Sequence, residues 1–150
     1  MIAPLVAAAS LAVQRGTVIR DVDGDTIHVL VGSRDVDVRL LGVDTPETKK
    51  PNTPIQCYGP QSSAFTARYA VGSVVLTTEP STGDVYDRYG RLLAYVYVVG
   101  HHADLGAQLL RRGYARVYAY DDRHFKKRPY YERLQAIARA HDVGRWGACR

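Results

Sequence analysis

The sequence predicts an α+β fold, a small closed β-barrel of about five short strands with about three helices. Alternating apolar and polar residues fill much of the first half, which is typical of half-buried strands. Tight turns join the first three strands, whereas a doubly wound parallel sheet would need crossover helices there. Helical segments are inserted only later, between the remaining strands. An OB-fold barrel matches this order best.

We expect six extended segments and three helices. Alternating or β-rich residues place the extended segments at residues 16–22, 26–31, 35–43, 74–78, 91–99 and 115–120. The helical segments are residues 61–70, residues 105–112, and an apolar stripe that stops at Gly144 and consists of Tyr131, Leu134, Ile137, Ala138 and His141. Residues 44–60 contain four prolines and are therefore predicted to form a loop.

The composition is that of an ordinary globular domain. Of the 150 residues, 46% are hydrophobic and 23% are charged, which excludes intrinsic disorder and fibrous repeats. The formal net charge is +5, and residues 111–133 carry all of it, with eight Arg or Lys against three acids. A neutral body with one basic region suits a polyanion such as nucleic acid. A solvated basic surface would have the same composition.

The N-terminal segment and the cysteines bear on the compartment. Residues 1–14 are mostly apolar but too few for a membrane span, so we interpret them as a signal-peptide remnant or an N-terminal tail. Residues 15–150 then form a single domain. Cys57 and Cys149 would pair in a secreted chain, whereas both would be free thiols in a reducing cytosol. We favour a protein that is secreted or held in the cell envelope.

Three aspartates alternate at the first Asp-Gly turn, namely Asp21, Asp23 and Asp25. The spacing suggests an EF-hand, but the sixth and twelfth loop positions hold Thr26 and Gly32 in place of Gly and Glu. A plain turn remains an alternative, because Asp-Gly is a strong hairpin signal.

A second acidic segment favours a metal site. Asp44 follows residues 35–43, and a chain that runs out along 26–31 and back along 35–43 brings Asp44 beside Asp25. Two carboxylates with a backbone carbonyl and water suit calcium, which accepts oxygen ligands in loose geometry. The cluster contains no His or Cys, which disfavours zinc and copper.

Two arginines and a glutamate point to phosphodiester chemistry. Arg39 lies on the strand face opposite the apolar one, and Arg91 opens a strand after a tight turn. Near a metal, two guanidiniums can clamp the oxygens of a phosphate, although an exposed strand arginine is also common. Glu47 is the candidate to accept a proton from the attacking water.

These residues fall within motifs that resemble the staphylococcal nuclease (thermonuclease) family. The resemblance extends from about Val18 to Trp146, and its Asp-Thr-Pro-Glu and Tyr-Gly-Arg blocks are highly specific. The matching blocks are residues 22–26, 38–48, 58–60, 63–66 and 87–95.

The resemblance implies a calcium-dependent endonuclease on an OB-fold barrel, one that cleaves DNA and RNA and leaves 3′-phosphate ends. By position, Asp25, Asp44 and the Thr45 carbonyl are similar to the family's calcium ligands. Glu47 resembles the residue that orients or deprotonates the attacking water. Arg39 and Arg91 resemble its phosphate-binding pair.

Tyrosines interleave with basic residues, a pattern typical of single-strand binding. Tyr89, Tyr118 and Tyr120 resemble the family's tyrosines near the nucleotide, although the stretch that carries the last two is one residue shorter here. Tyrosine also simply suits β-strands. We expect a monomer that binds single-stranded or frayed DNA and RNA, with no membrane and no obligate protein partner.

Two other functions stay open from the sequence. An OB-fold can be a catalytically inactive nucleic-acid-binding module. Such a module would be free to lose site residues, and this chain keeps Asp25, Arg39, Asp44, Glu47 and Arg91. A structural calcium-binding domain is the third possibility, and it leaves both arginines and the basic region unexplained.

Overall fold

A computed structural model of the protein describes residues 13–80 and 85–150. In chain order its elements are β1 (Val13–Asp23), β2 (Thr26–Val31), β3 (Arg34–Leu40), β4 (Val43–Asp44), α1 (Gly59–Tyr69), β5 (Ser73–Thr77), β6 (Leu92–Val98), β7 (Ala103–Asp104), α2 (Leu105–Arg111), β8 (Arg116–Val117), α3 (Arg128–Ala140) and α4 (Arg145–Ala148), with 3₁₀ turns at Val99–His101 and Tyr120–Asp122. The proposed signal remnant or tail spans residues 1–14, and the first twelve of these lie outside the described residues. Val13 and Gln14 belong to β1.

Five strands close into a barrel, which confirms the predicted α+β OB-fold. Their order is β3-β2-β1-β5-β6, and a parallel pairing of β3 with β6 completes the circle, with Val38 opposite Leu92. Closure leaves little free strand edge. The three longest helices are α1, α2 and α3. In the described part of the chain, no helix combines the length and apolar character needed to cross a membrane.

Apolar residues on alternate positions form the core, as the sequence pattern predicts. Ile27 and Val29 of β2 are fully buried, and so are Val38 and, almost entirely, Leu40 of β3. In β6, both faces are buried from Leu92 to Val96, because one faces the barrel interior and the other is covered. The core therefore holds β3 and its neighbours firmly beneath the cleft described below.

The extended segment predicted at residues 115–120 is much shorter in the structure. Only Arg116 and Val117 form a strand, β8, which pairs with β4. The partner strand ends because the Thr45 amide turns away to the Asp25 carboxylate and Pro46 has no amide hydrogen. In this short ladder Asp44 lies directly opposite Arg116.

The prediction of an apolar stripe along α3 is partly wrong. Tyr131, Leu134 and Ala138 of α3 are buried, as expected. Ile137 is 60% exposed, because it lies about 120° around the helix from Tyr131. His141 lies beyond the end of α3 and is exposed. The short helix α4 follows Gly144 and was not predicted.

A disulfide and a glycine crossing hold the C-terminal segment. Cys57 and Cys149 are bonded, which supports the paired alternative over free thiols. Gly113 and Gly144 both have positive φ and pack against each other's segments: a Cβ on Gly113 would lie 2.1 Å from the Val143 carbonyl oxygen. No side chain fits at this crossing, so the backbone after α3 is pressed directly onto the end of α2.

Replacing Cys57 and Cys149 with serine together should lower the free energy of unfolding by about 2–5 kcal/mol, because the unfolded chain regains the freedom of a long loop. Urea unfolding followed by circular dichroism measures this change. Wild-type protein treated with a reductant is the matched control and should give the same loss. Equal stability of the oxidised wild type and the double variant would contradict a stabilising role for the disulfide.

Candidate active site

One cleft collects most of the residues that the sequence singled out. It has a volume of about 500 Å³, and the predicted site residues along its wall are Asp25, Arg39, Asp44, Glu47, Arg91, Tyr118 and Tyr120. Thr45 and Tyr89 are not on this wall. The wall is formed by the end of β1, the β1–β2 turn, the start of β2, β3, β4 and the loop after it, the segment before β6, and β8 with the segment after it.

Asp25 joins two loops at the floor of the cleft. Its Oδ1 accepts a hydrogen bond from Thr26 Oγ1 at 3.1 Å, and its Oδ2 accepts one from the Thr45 amide at 3.0 Å. Only 7% of the residue is exposed. Gly24 permits this approach, since a Cβ there would lie 2.7 Å from Thr45 Oγ1. The β1–β2 turn and the loop after β4 are thus held together by one carboxylate.

Arg39 is a buried residue, in contrast to the exposed strand arginine that the sequence left open. Its Nη1 donates to the carbonyl oxygens of Leu40 at 2.8 Å and Val43 at 2.7 Å. Its Nη2 lies 3.1 Å from Asp44 Oδ1 and 3.3 Å from Asp25 Oδ2. Of the three guanidinium nitrogens of Arg39, Nε is the one without a partner among the described residues. Arg39 therefore fixes both aspartates.

Asp44 is contacted by two guanidiniums, one on each carboxylate oxygen. Oδ1 faces Arg39, and Oδ2 accepts from Arg116 Nε at 3.2 Å and Nη2 at 3.1 Å. Burial raises the pKa of Asp44, and the charge of Asp25 adds to that rise, while the charges of Arg39 and Arg116 oppose it. Because burial is the main cause of the pKa rise, a further cation at this carboxylate would stabilise its charged form.

Arg116 is a cleft residue that the sequence analysis missed. A signal was present, because Arg116, Tyr118 and Tyr120 alternate and so share one face of an extended segment. Two cleft lysines, Lys49 and Lys50, were also missed. They lie in a loop with no periodic pattern, so no comparable signal marks them.

Glu47 is held by the backbone around it. Its Oε1 accepts hydrogen bonds from the amides of the next three residues, Thr48, Lys49 and Lys50, at 3.1, 2.9 and 2.9 Å. Its own amide donates to Gln56 Oε1, and its carbonyl accepts from the Gln56 amide. No described donor contacts Oε2. One oxygen thus fixes the loop and the other is left to act on a ligand.

Arg91 is anchored along one edge. Its Nε donates to Asp87 Oδ2 at 2.7 Å, and its backbone amide donates to Asp87 Oδ1 at 2.9 Å. The Asp87 side chain is fully buried, whereas that of Arg91 is 27% exposed. Nη1 lies 3.5 Å from Thr26 Oγ1, and Nη2 has no partner among the described residues. The outer edge of this guanidinium therefore remains available in the cleft.

The three predicted nucleotide-binding tyrosines divide into two groups. Tyr118 and Tyr120 line the cleft with their rings edge to face at 5.7 Å. Tyr89 is 67% exposed outside it, and its ring lies under the guanidiniums of Arg88 and Arg91, at 4.9 and 5.4 Å. A binding role for any of them stays a prediction.

The oxygen donors of the cleft fit a hard divalent cation. Asp25 and Asp44 approach the same nitrogen, and the Thr45 carbonyl accepts no hydrogen bond from the described residues. Burial raises the pKa of a further acid, Asp23, and the charges of Asp25 and Glu47 contribute. None of the described residues that line the cleft is a His or Cys. In the described ranges, no three His, Cys, Asp or Glu side chains form a metal-binding group. Backbone and water would have to complete the coordination.

A family profile and individual relatives both place the chain among staphylococcal nuclease homologues. The sequence profile of the family described as staphylococcal nuclease homologue matches residues 37–148. The chain is 41% identical over 123 residues to a thermonuclease of Staphylococcus hyicus, covering 82% of this chain and 66% of that protein. It is 39% identical over 130 residues to a thermonuclease of Staphylococcus intermedius, covering 85% and 73%.

A Bacillus relative is more similar over a shorter stretch. The chain is 48% identical over 106 residues to endonuclease YncB of Bacillus subtilis, which covers 70% of this chain and 49% of that protein. The chain thus spans about half the length of this relative.

Replacing Arg39 with methionine should lower the free energy of unfolding by about 3–5 kcal/mol, because the buried Asp25 loses its charge partner. Denaturant unfolding at neutral pH measures the loss. Arg34→Met is the matched control: Arg34 opens the same strand but is exposed, and its replacement should change stability by less than about 0.5 kcal/mol. Equal effects of the two substitutions would contradict a bridging role for Arg39.

Proposed function

This chain belongs to the staphylococcal nuclease homologue family, and on that premise we propose that it is a calcium-dependent endonuclease. It hydrolyses DNA and RNA with little sequence specificity and leaves 3′-phosphate ends. The observation that carries the proposal is the gathering of Asp25, Arg39, Asp44, Glu47 and Arg91 in and around one cleft. Related proteins named thermonuclease and endonuclease support the reaction class.

Asp25, Asp44 and the Thr45 carbonyl would hold the calcium ion. Bound there, calcium would neutralise charge that develops on the phosphoryl oxygens. The protein's own part is to keep two carboxylates together at one point: a single nitrogen of Arg39 donates to Asp44 and forms an ion pair with Asp25. Arg116 holds the outer oxygen of Asp44. The ligand pair is thus oriented in advance of binding.

Glu47 accepts the proton of the attacking water. Its Oε1 is occupied by three backbone amides, which fixes the carboxylate in one orientation. The unbonded Oε2 is the atom that can receive the proton.

Arg91 binds the phosphate that is cleaved. The Asp87 carboxylate holds one edge of its guanidinium, so the free edge can donate to phosphoryl oxygens without reorganising. Among the described residues, Nη1 and Nη2 of Arg39 already have partners, so its larger contribution is to position the two aspartates. Because an arginine holds its proton tightly, both residues stabilise charge, and the leaving 5′-oxygen takes its proton from solvent water.

Tyr89, Tyr118 and Tyr120 provide ring surfaces on which bases can stack. Stacking on aromatic rings tolerates every base, so we expect weak sequence preference and a preference for unpaired stretches. We also propose that the protein acts as a monomer outside the cytoplasm, secreted or in the cell envelope. The Cys57–Cys149 disulfide supports this location, because such bonds persist in oxidising compartments.

An inactive nucleic-acid-binding module is the second candidate function. Both oxygens of Asp44 are contacted by guanidiniums, which is the observation in its favour, because an arginine in that place can compete with a metal ion. The two functions differ in turnover and not in binding, so the two experiments below distinguish them.

Chelating calcium with EGTA should abolish hydrolysis of single-stranded DNA, and adding calcium back should restore it. Magnesium should restore little, because it demands strict octahedral geometry and gives up its water reluctantly. Gel analysis of a labelled oligonucleotide, with phosphatase treatment of the new ends, measures cleavage and identifies 3′-phosphates. Undiminished cleavage in the chelator would contradict the metal requirement, and binding without any cleavage would favour the inactive module.

Glu47→Gln should lower kcat by on the order of 10²–10⁴-fold with little change in the affinity for an uncleavable oligonucleotide. The amide oxygen of glutamine can still accept from the three backbone amides, so the loop should keep its structure. Glu132→Gln, the same change on the exposed face of α3, is the control and should leave kcat unaltered. If turnover and binding fell together, Glu47 would be a binding or folding residue.

A further inference from the structure

A second cavity opens beside the cleft. Its volume is about 360 Å³, and it shares Asp44 and Arg116 with the cleft wall. Arg145, at the start of α4, lies on its far side, and the Cys57–Cys149 disulfide forms part of its wall. The two cavities are therefore neighbours separated by one ion pair, that between Arg116 and Asp44.

The second cavity has an excess of positive charge. Arg116 and Arg145 both line it, and Asp44 is its one acidic lining residue among those described. Asp44 is already shared with Arg39. Within the described residues, the Arg145 side chain has no hydrogen bond or ion pair, and it only stacks on the ring of Trp146 at 5.0 Å. Burial lowers the pKa of Arg145, and the nearby charge of Arg116 contributes.

The position of Arg145 is fixed by its surroundings. Its backbone amide donates to the Gly113 carbonyl at 2.9 Å, at the tight glycine crossing described above. Its carbonyl accepts from the amide of Cys149, which the disulfide ties to Cys57. These contacts hold the backbone of Arg145, and stacking on Trp146 restricts its half-buried guanidinium, so less freedom is lost when a ligand binds.

We propose that Arg116 and Arg145 bind a second phosphodiester of the polynucleotide, next to the one that is cleaved. This inference deepens the proposed nuclease function and rests on it. Arg116 contacts Asp44 through Nε and Nη2, so its Nη1 remains to donate to a phosphate. Arg145 faces the same space without a competing carboxylate of its own. Together they suit a phosphate, because Arg145 can donate two parallel hydrogen bonds and Arg116 can add one from Nη1.

The lining favours a phosphate over a nucleobase. No aromatic ring lines this cavity in the described part of the chain, so it has no surface for stacking. The aromatic residues lie on the other side of Arg116, where Tyr118 and Tyr120 line the cleft. A strand that places one phosphate at Arg91 can thus continue past Asp44 and place another at Arg145. Affinity would then rise with the number of phosphates in the ligand.

Binding measured in EGTA tests this assignment without cleavage. The probes are thymidine 5′-phosphate, which has one phosphate, and an octanucleotide of thymidylate. Arg145→Ala should weaken octanucleotide binding about tenfold. It should reduce the slope of log affinity against log salt by about 0.7, as expected when the protein neutralises one phosphate fewer on a single strand. Binding of thymidine 5′-phosphate should not change. Arg145→Lys should keep the slope and most of the affinity.

Arg139→Ala is the matched control. Arg139 also stacks on Trp146, at 5.0 Å, but does not line the cavity, so its replacement removes the same charge and an equivalent stacking interaction. It should leave octanucleotide affinity and its salt slope unchanged. Equal effects of Arg139→Ala and Arg145→Ala, or an equal loss for both probes in Arg145→Ala, would overturn the assignment.

The outcome is separable from that of the nuclease proposal. If the wild-type protein cleaves DNA with calcium but Arg145→Ala binds like Arg139→Ala, the second phosphate site fails and the nuclease stands. If the wild type binds the octanucleotide without cleaving it and Arg145→Ala alone weakens binding, the phosphate site stands and the nuclease fails. A wild type that binds neither probe overturns the phosphate site.

Discussion

The contact of one Arg39 nitrogen with two aspartates is the interaction on which the cleft depends. Asp25 comes from the β1–β2 turn and Asp44 from β4, and their charges repel each other in a partly buried place. Taking such groups out of water costs several kcal/mol per ion unless an opposite charge and hydrogen bonds compensate. Arg39 supplies the opposite charge to both aspartates and a hydrogen bond to Asp44. The burial of Arg39 is compensated in turn, because its other terminal nitrogen donates to the carbonyls of Leu40 and Val43. The barrel core beneath β3 keeps this guanidinium in position.

Charged side chains follow one another from this buried arginine to the surface. Asp44 connects Arg39 in the interior with Arg116 at the surface, and Arg116 in turn lies between the cleft and the cavity of Arg145. The inner charges, those of Arg39 and the two aspartates, are paired with one another. The outer arginines, Arg116 and Arg145, still have N–H donors without a partner among the described residues. This arrangement suits a flexible polyanion, because the donors that can attract it lie on the outer arginines.

The sequence predicts the barrel and the neighbourhood of Asp25 and Asp44 well, because strand alternation and tight turns determine which chain ends meet. It does not predict that Arg39 is buried, since alternation only places it on the face away from the core and does not show what covers that face. It also misses Arg116, although that residue alternates with Tyr118 and Tyr120, because alternation does not show that this segment pairs with β4 and brings Arg116 opposite Asp44. The site lies where loops cross, and loop crossings are decided by tertiary contacts that no local rule encodes.

The parallel pairing of β3 with β6 has a consequence for synthesis. Val38 cannot meet Leu92 until the ribosome has released most of the domain, and Arg116 emerges later still. Contacts between residues so far apart in sequence form slowly and late. During most of translation the nascent chain therefore has no assembled cleft that could bind ribosomal RNA.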